Sequence, residues 1–562
     1  MTETSHIAKA DQYTNDVLSG RIPACQWIRL ACQRYLTDKA RNDDPSWPYY
    51  FDSAAASKVC RFVELFEHSK GKWAQQRERM KLEPWQCWVL VNVFGFLRKK
   101  DGKRRFRYAM VVVPRKNGKS ALSAPIGLYM LAADGEHGAE VYSGATSEKQ
   151  ALEVFRPARL LALKTPAFLG RFGVEANASN LHILANGSRF EPLIGKPGDG
   201  SSPSCAIIDE FHEHDTPDLR DTMVTGMGAR EQPLVWVITT AGDNLAGPCF
   251  DDVLTGRKLV QGAIEDEERF YAEWTIDADD DWTSPEALIK ANPNYGVSVD
   301  GDFLLAQQRA AIRNPREQGR FKTKHLNSWV NSRSAFFNMQ SHSANYDASL
   351  TMGSLKGRRC FVGMDLASKQ DIAAMQILFP LDDGTFATFG RYYLPEDVVF
   401  SPGKDHYRAW QTNGELIITD GNMIDHQRIL DDLLDIIAEY DVEEVVFDPA
   451  QASWMMGQLM ERRVTVYEFT QHARNYSEPM KQVAALMDAG KLKHADSPNS
   501  PMAWMLSNCV SRTNAKDEVF PAKEKEDLKI DGPVALIMSM ARAMANVSTK
   551  SVYEARGLLV IG

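Results

Sequence analysis

Short apolar runs alternating with helix-length segments constrain this chain more than any other feature. The runs are Tyr108–Val113, Ala139–Ser143, Cys205–Ile208 and Leu234–Thr239, and helices are expected at Lys119–Ala133 and Ser147–Leu163. A strand covered on both faces reads as an unbroken apolar run, and strands joined through helices pair in parallel. The first half is therefore expected to be α/β, a parallel sheet with flanking helices. A second α/β series follows, with strands at Cys360–Met364, Ala373–Phe379, Thr385–Tyr393 and Glu444–Phe447 and a helix at Leu430–Glu439. Upstream, Cys25, Trp27, Ile28, Leu30, Ala31 and Tyr35 recur at helical intervals, and Pro84 opens a helix marked by Trp85, Trp88, Val89, Val93 and Phe96.

The 562 residues exceed one ordinary domain. The expected division is a helical segment over 1–70, a first α/β domain over 71–338, a polar linker over 339–353 and a second domain over 354–562. Lys and Arg number 65 against 74 Asp and Glu, a net charge of −9 that excludes a uniformly basic nucleic-acid coat but leaves local basic grooves open. No apolar run approaches the roughly 18 residues a membrane span needs. Met1–Asn15 is polar, without the apolar core of a signal peptide. The eight cysteines form no CxxC pair and are expected as buried free thiols.

Pro114-Arg115-Lys116-Asn117-Gly118-Lys119-Ser120 follows a strand and opens a helix, the setting in which backbone N–H groups cradle phosphates. Lys119 is expected on the β/γ-phosphates and Ser120 on Mg²⁺. Only the Gly-Lys-Ser end of the glycine pattern is present, because Val113 stands where a first glycine is usual. Cys205–Ile208 delivers Asp209-Glu210, expected to support the Mg²⁺ shell and to polarise the attacking water. Leu234–Thr239 leads into Thr239-Thr240-Ala241-Gly242, placed to sense the γ-phosphate or simply to start a turn, and Gln86 is expected against adenine. His212 and His214 are expected at the surface, since an i,i+2 pair shares no helix face.

Asp365, followed by Asp371, and Asp448 end apolar strands, while Asp531 precedes the apolar helix Pro533–Ala545. Three converging carboxylates repel unless hard cations neutralise them, and two Mg²⁺ or Mn²⁺ ions suit such ligands and can drive phosphodiester cleavage. The competing explanation is that strand-end aspartates merely form turns. The basic run Arg98-Lys99-Lys100 and Lys103–Arg107 is expected as a solvated hairpin around Asp101-Gly102, rather than a DNA contact. Lys523, Lys525 and Lys529 either rim a phosphate path or form a solvated run with Glu524, Glu526 and Asp527. Leu558–Ile561 is either a docking tail or a terminal strand.

Taken in order, Trp85-Gln86, Arg115–Ser120, Asp209-Glu210, Thr239–Gly242, Asp365, Asp448 and Asp531 resemble the large terminase subunit of tailed double-stranded-DNA bacteriophages. The resemblance runs from about Leu82 onward and includes Arg320–Asn327, which looks like the family's segment joining motor to nuclease. It implies a P-loop ASCE-type ATPase followed by an RNase H-like nuclease, using ATP with Mg²⁺ and two Mg²⁺ or Mn²⁺ ions in the nuclease. It also implies a motor that translocates double-stranded DNA into a procapsid in the host cytoplasm and cuts concatemers. The implied partners are the portal protein, a small terminase subunit and further copies in a ring, a pentamer by resemblance, with no membrane. Arg115 would contact phosphates or a neighbouring subunit's site. The alternatives are a repair-type helicase–nuclease, which needs a second ATPase domain, and a nucleotide-dependent assembly switch.

Overall fold

The computed structural model describes residues 5–145, 148–194, 200–245, 247–330, 335–369, 371–401, 404–514, 516–524 and 528–546. Lys525 and the tail Leu558–Ile561 lie outside them. Within the described residues, contacts divide the chain into two compact units: Met1–Arg313 with Arg320–Val330, and Asn314–Gly319 with Asn331–Gly562.

In the first unit, β1 (Tyr49–Phe51) and β2 (Phe96–Arg98) pair as a small ribbon. The main sheet uses β3 (Tyr108–Val112), β4 (Glu140–Ala145), β5 (Val174–Ala176), β6 (Leu181–Ile183), β7 (Ser188–Ile194), β8 (Cys205–Asp209), β9 (Leu234–Thr239) and β10 (Arg269–Glu273). Its order is β10-β3-β9-β8-β4-β7-β6-β5, parallel from β10 through β7. One relationship in that order positions the chemistry. β9 lies between β3 and β8, with Val112 opposite Thr239 and Asp209 opposite Ile238. The segments leaving the carboxyl ends of these three strands therefore emerge side by side.

The helix Pro84–Gly95 is apolar on all sides because it is a central helix, with His6–Leu18 and Ser53–Val63 packed on it. Each large side chain it buries contributes roughly 1.5–3 kcal/mol. Trp85 and Trp88 each meet Trp274 edge-on. The basic run differs in part from its expectation. Arg104 and Arg105 are buried, Arg104 paired with Asp134 at 2.7 Å and Arg105 with Asp38 at 2.8 Å and with Glu267. These two arginines are interior cations neutralised by distant acids. The hairpin around Asp101-Gly102 is present, with Arg98 N bonded to Lys103 O and Lys99 and Lys100 exposed.

The second unit holds β11 (Arg359–Asp365), β12 (Ala373–Pro380), β13 (Phe386–Pro395), β14 (Ile417–Thr419), β15 (Asp441–Phe447), β16 (Val466–Glu468) and β17 (Leu492–His494). The order is β14-β13-β12-β11-β15-β16, with β17 beside β13; β11 to β13 are antiparallel, whereas β11, β15 and β16 run parallel. A separate hairpin joins β18 (Cys509–Thr513) and β19 (Val519–Lys523). The polar stretch expected as a linker is folded instead. Met339–Ala344 is a helix capped by Asn338, His342 is buried, and Asn345 bonds the carbonyls of Ser341 and Met487. The Asn338 cap and the two bonds from Asn345 Nδ2 hold this stretch within the second unit. All eight cysteines are buried free thiols.

Candidate functional site

The loop after β3 turns into the helix Lys119–Ala132 through Gly118, whose φ of +85° explains the glycine there. Asn117 is fully buried and its side chain is already committed. Its Nδ2 donates to Asn292 Oδ1 (2.9 Å) and Pro114 O (3.2 Å), and its Oδ1 accepts from Asn294 N (3.0 Å). Ser298 Oγ donates to Lys116 O at 2.7 Å. Expected as an ATP contact, the Asn117 side chain instead locks the loop from behind. Nothing in its local pattern marks Asn292, Asn294 or Ser298 as partners. Arg115 and Lys116 are exposed, and Ser120 is half-buried in the first turn of the helix.

Gln86 closes a capping box, accepting from Glu83 N at 3.0 Å. It lines a cavity of about 230 Å³ with Trp73, Gly118, Leu122 and Val297. Trp73, Leu122 and Val297 give it apolar surface and Gln86 and Asn294 bring amides beside Gly118, a combination that suits a flat heterocycle.

Lys119 is buried, with Nζ 3.4 Å from Glu210 Oε1 and 3.5 Å from the Val113 carbonyl. Burial lowers its pKa, an effect that Glu210 and Asp209 oppose. Burial and then the neighbouring Glu210 push the Asp209 carboxyl up to about 7. Burial also pushes Glu210 upward, but Lys119, His212 and Lys324 outweigh it and hold that carboxyl well below the usual range. Glu210 sits at φ +49°, a left-handed conformation that costs a non-glycine residue and recurs at functional sites.

Thr239 and Thr240 are fully buried, and Thr240 Oγ1 donates to Glu210 Oε2 at 3.3 Å. The two histidines expected at the surface are both buried, 4% exposed each. His212 contacts Glu210, Glu213, Thr239 and Lys324. Burial, followed by the neighbouring His212, lowers the His214 pKa to about 4. The segment Arg320–Asn327 also reaches this site. Lys324 O accepts from Arg115 N at 3.0 Å, and Asn327 Oδ1 accepts from Ala241 N at 2.6 Å.

In the second unit, Met364 pairs with Phe447 across parallel strands, so Asp365 and Asp448 leave the same sheet edge side by side. The helix Asp531–Ala545 packs directly on β11. A Cβ on Gly363 would stand 2.0 Å from the Ala535 carbonyl oxygen, so only glycine permits that approach. This contact carries Asp531 to the same edge. Burial pushes the Asp365 carboxyl well above its ordinary value, and the charges of Asp531, Asp448 and Asp371 add to the rise. Burial likewise raises Asp531 to about 7, with Asp371 adding to it. Asp531 Oδ2 is buried without a hydrogen-bond partner, and Lys529 is paired with Asp371. Mutually repelling carboxylates with an orphaned oxygen are a donor set that fits hard divalent cations.

His342, His494 and Asp496 form another potential ligand group, but it does not suit an ion. The two rings stack at 3.9 Å and 7°, so an ion between them leaves the plane of at least one ring. His494 also has both nitrogens engaged, with the His342 carbonyl and Asp496 N.

The family model for the terminase large subunit endonuclease domain matches residues 263–546, and that for the terminase large subunit ATPase domain matches 84–255. Protein YmfN of Escherichia coli (strain K12) is 41% identical over 362 residues, covering 62% of this chain and 79% of that protein. The large terminase subunit of Enterobacteria phage HK97 is 26% identical over 508 residues, covering 87% of this chain and 96% of its own. The crystal structure of the HK97 bacteriophage large terminase aligns with a TM-score of 0.42 at 24% identity, covering 87% of this chain and 99% of that one.

Proposed function

The chain belongs to the terminase large-subunit family, a phage DNA-packaging motor with ATPase and nuclease domains, and from that premise we propose which residues perform each activity. The motor is assigned to the first unit from residue 71 onward and the cutter to the second unit, which includes the stretch 339–353. The observation carrying the motor assignment is the placement of β9 between β3 and β8, which brings Lys119, Glu210 and Thr240 into contact.

Gln86 holds adenine in the cavity beside Gly118. Backbone N–H groups of the Gly118–Ser120 turn receive phosphate oxygens, and Lys119 neutralises the β/γ-phosphates. Arg115 and Lys116, both exposed, reach phosphates or a neighbouring subunit's nucleotide. Ser120 and Asp209 would hold Mg²⁺, which supplies charge neutralisation across the β- and γ-phosphates. Glu210 remains ionised and orients the attacking water, while Thr239 and Thr240 register whether the γ-phosphate is present. Replacing Lys119 with Ala and following ATP turnover tests the assignment; wild-type turnover would reject it.

Asp365, Asp448 and Asp531 would hold two Mg²⁺ or Mn²⁺ ions, which supply activation of water and stabilisation of the leaving oxygen. Chemistry directed at the phosphodiester reads no base edges, so cleavage is sequence-tolerant. The helicase–nuclease alternative is disfavoured because the second unit carries acids at the edge of a mixed sheet where it would need another ATPase domain. The working assembly is a ring, a pentamer by family likeness, docked on the procapsid portal in the host cytoplasm, with a small subunit presenting double-stranded DNA. No helix among the described residues is long and apolar enough to cross a membrane.

A further inference from the structure

We propose that His212 is a positioning residue for ATP hydrolysis: its Nδ1–H holds the Glu210 carboxylate toward the attacking water and ties it to the Thr239–Thr240 strand end. The inference rests on the reading of Glu210 as the water-orienting base. Its grounds are geometric. His212 follows Glu210 by two residues in a short 3-10 turn, and its side chain is 1% exposed. Nδ1 lies 3.2 Å from Glu210 Oε2 and 3.1 Å from Thr239 Oγ1, and the His212 backbone N–H donates to the same hydroxyl at 3.1 Å. Nε2 lies 2.9 Å from Lys324 Nζ and 3.0 Å from Glu213 Oε1.

These neighbours decide the proton. A lysine ammonium only donates, so Lys324 requires a lone pair on Nε2 and leaves the hydrogen on Nδ1. Pairing Nε2–H with Glu213 while Nδ1 stays bare would set an imidazole lone pair against the Glu210 carboxylate, acceptor against acceptor. If both nitrogens are protonated, Nδ1 still carries hydrogen. Each favourable arrangement therefore keeps hydrogen on Nδ1, where it is shared between Thr239 Oγ1 at 3.1 Å and Glu210 Oε2 at 3.2 Å. Thr240 Oγ1 donates to the same oxygen, so Oε2 is held by two donors while Oε1 faces Lys119. Glu210 has an unfavourable backbone conformation, which makes added anchoring of its carboxylate mechanistically useful. Lys324, 112 residues away, fixes the far side of the ring and thereby links the segment Arg320–Asn327 to the hydrolytic residue.

The test compares His212→Ala, His212→Asn and His212→Gln with Glu210→Gln in the full chain. It measures steady-state ATP turnover and binding of a fluorescent ATP analogue. An Asn amide nitrogen overlays Nδ1 and restores the donor, whereas a Gln amide nitrogen overlays Nε2. His212→Ala is expected to lower kcat by about 100-fold, the scale of a misplaced catalytic group, with analogue affinity unchanged. His212→Asn should recover most of that loss and His212→Gln little, although Gln is closer to His in size. Should the Ala variant fail to fold, the Asn–Gln comparison decides alone. Gln equal to or better than Asn, or wild-type turnover by Ala, overturns the role of His212. Wild-type turnover by Glu210→Gln would instead remove the underlying reading of Glu210.

Discussion

Lys119 Nζ stands 3.4 Å from Glu210 Oε1, so the residue expected to bind phosphate and the residue expected to orient water are paired with each other. On the proposed assignment, a γ-phosphate that takes Lys119 competes with this pairing and frees Glu210 Oε1. Lys119→Ala should therefore lose both tight ATP binding and turnover. Glu210→Gln should bind ATP yet turn over at least about 100-fold more slowly, because the amide keeps the shape and loses the charge. Filter binding and phosphate release, measured on the same preparations, separate the two effects.

Asn117 is predicted to matter through the loop rather than through the nucleotide. Asn117→Ala strands Asn294 N and Asn292 Oδ1 in the interior and should destabilise the first unit by about 2–3 kcal/mol. Asn117→Asp keeps an acceptor for Asn294 but loses both donors and adds negative charge beside the phosphate site. It should weaken ATP binding more than Ala does. Denaturant melts and ATP titrations of the two variants check the order.

Each of Asp365→Asn, Asp448→Asn and Asp531→Asn is expected to abolish plasmid cleavage in Mg²⁺ and in Mn²⁺, since each removes one ligand charge at nearly constant volume. ATP turnover should persist in all three. Cleavage by wild type in excess chelator, or full cutting by Asp365→Asn, would contradict the two-ion assignment.

Without divalent ions, the second unit should lose stability as pH rises from about 4 to about 7. Asp531 has its folded pKa raised from an ordinary 3.8 to about 7, and Asp365 is raised as well, so the folded state binds more protons than the unfolded one across that window. Protonation silences the repulsion at low pH, and ionisation restores it as pH passes the raised value. Added Mg²⁺ should therefore raise Tm little at about pH 5 and clearly at about pH 8. Asp531→Asn should flatten the ion-free pH dependence. Differential scanning fluorimetry across pH, with Mg²⁺ and with chelator, measures both.

Local patterning and motif order determined much of this protein. The run Leu234–Thr239 is β9 to the residue, the Cys205 run is β8, and Asp365 and Asp448 end strands as their apolar approaches imply. These features were legible because a strand buried on both faces must be apolar along its length, and because a phosphate loop needs glycine immediately before its helix. The tertiary structure alone decided which polar residues are interior. Asn117 and Asn292 are 175 residues apart, and His212 and Lys324 are 112 apart; nothing around either pair predicts the other. Arg104 and Arg105 look like solvated charges until Asp134, Asp38 and Glu267 are brought to them. The physical reason is one of range. Side-chain periodicity is set by neighbours a few residues away, whereas the cost of burying a charge or an amide depends on partners that only the folded chain supplies.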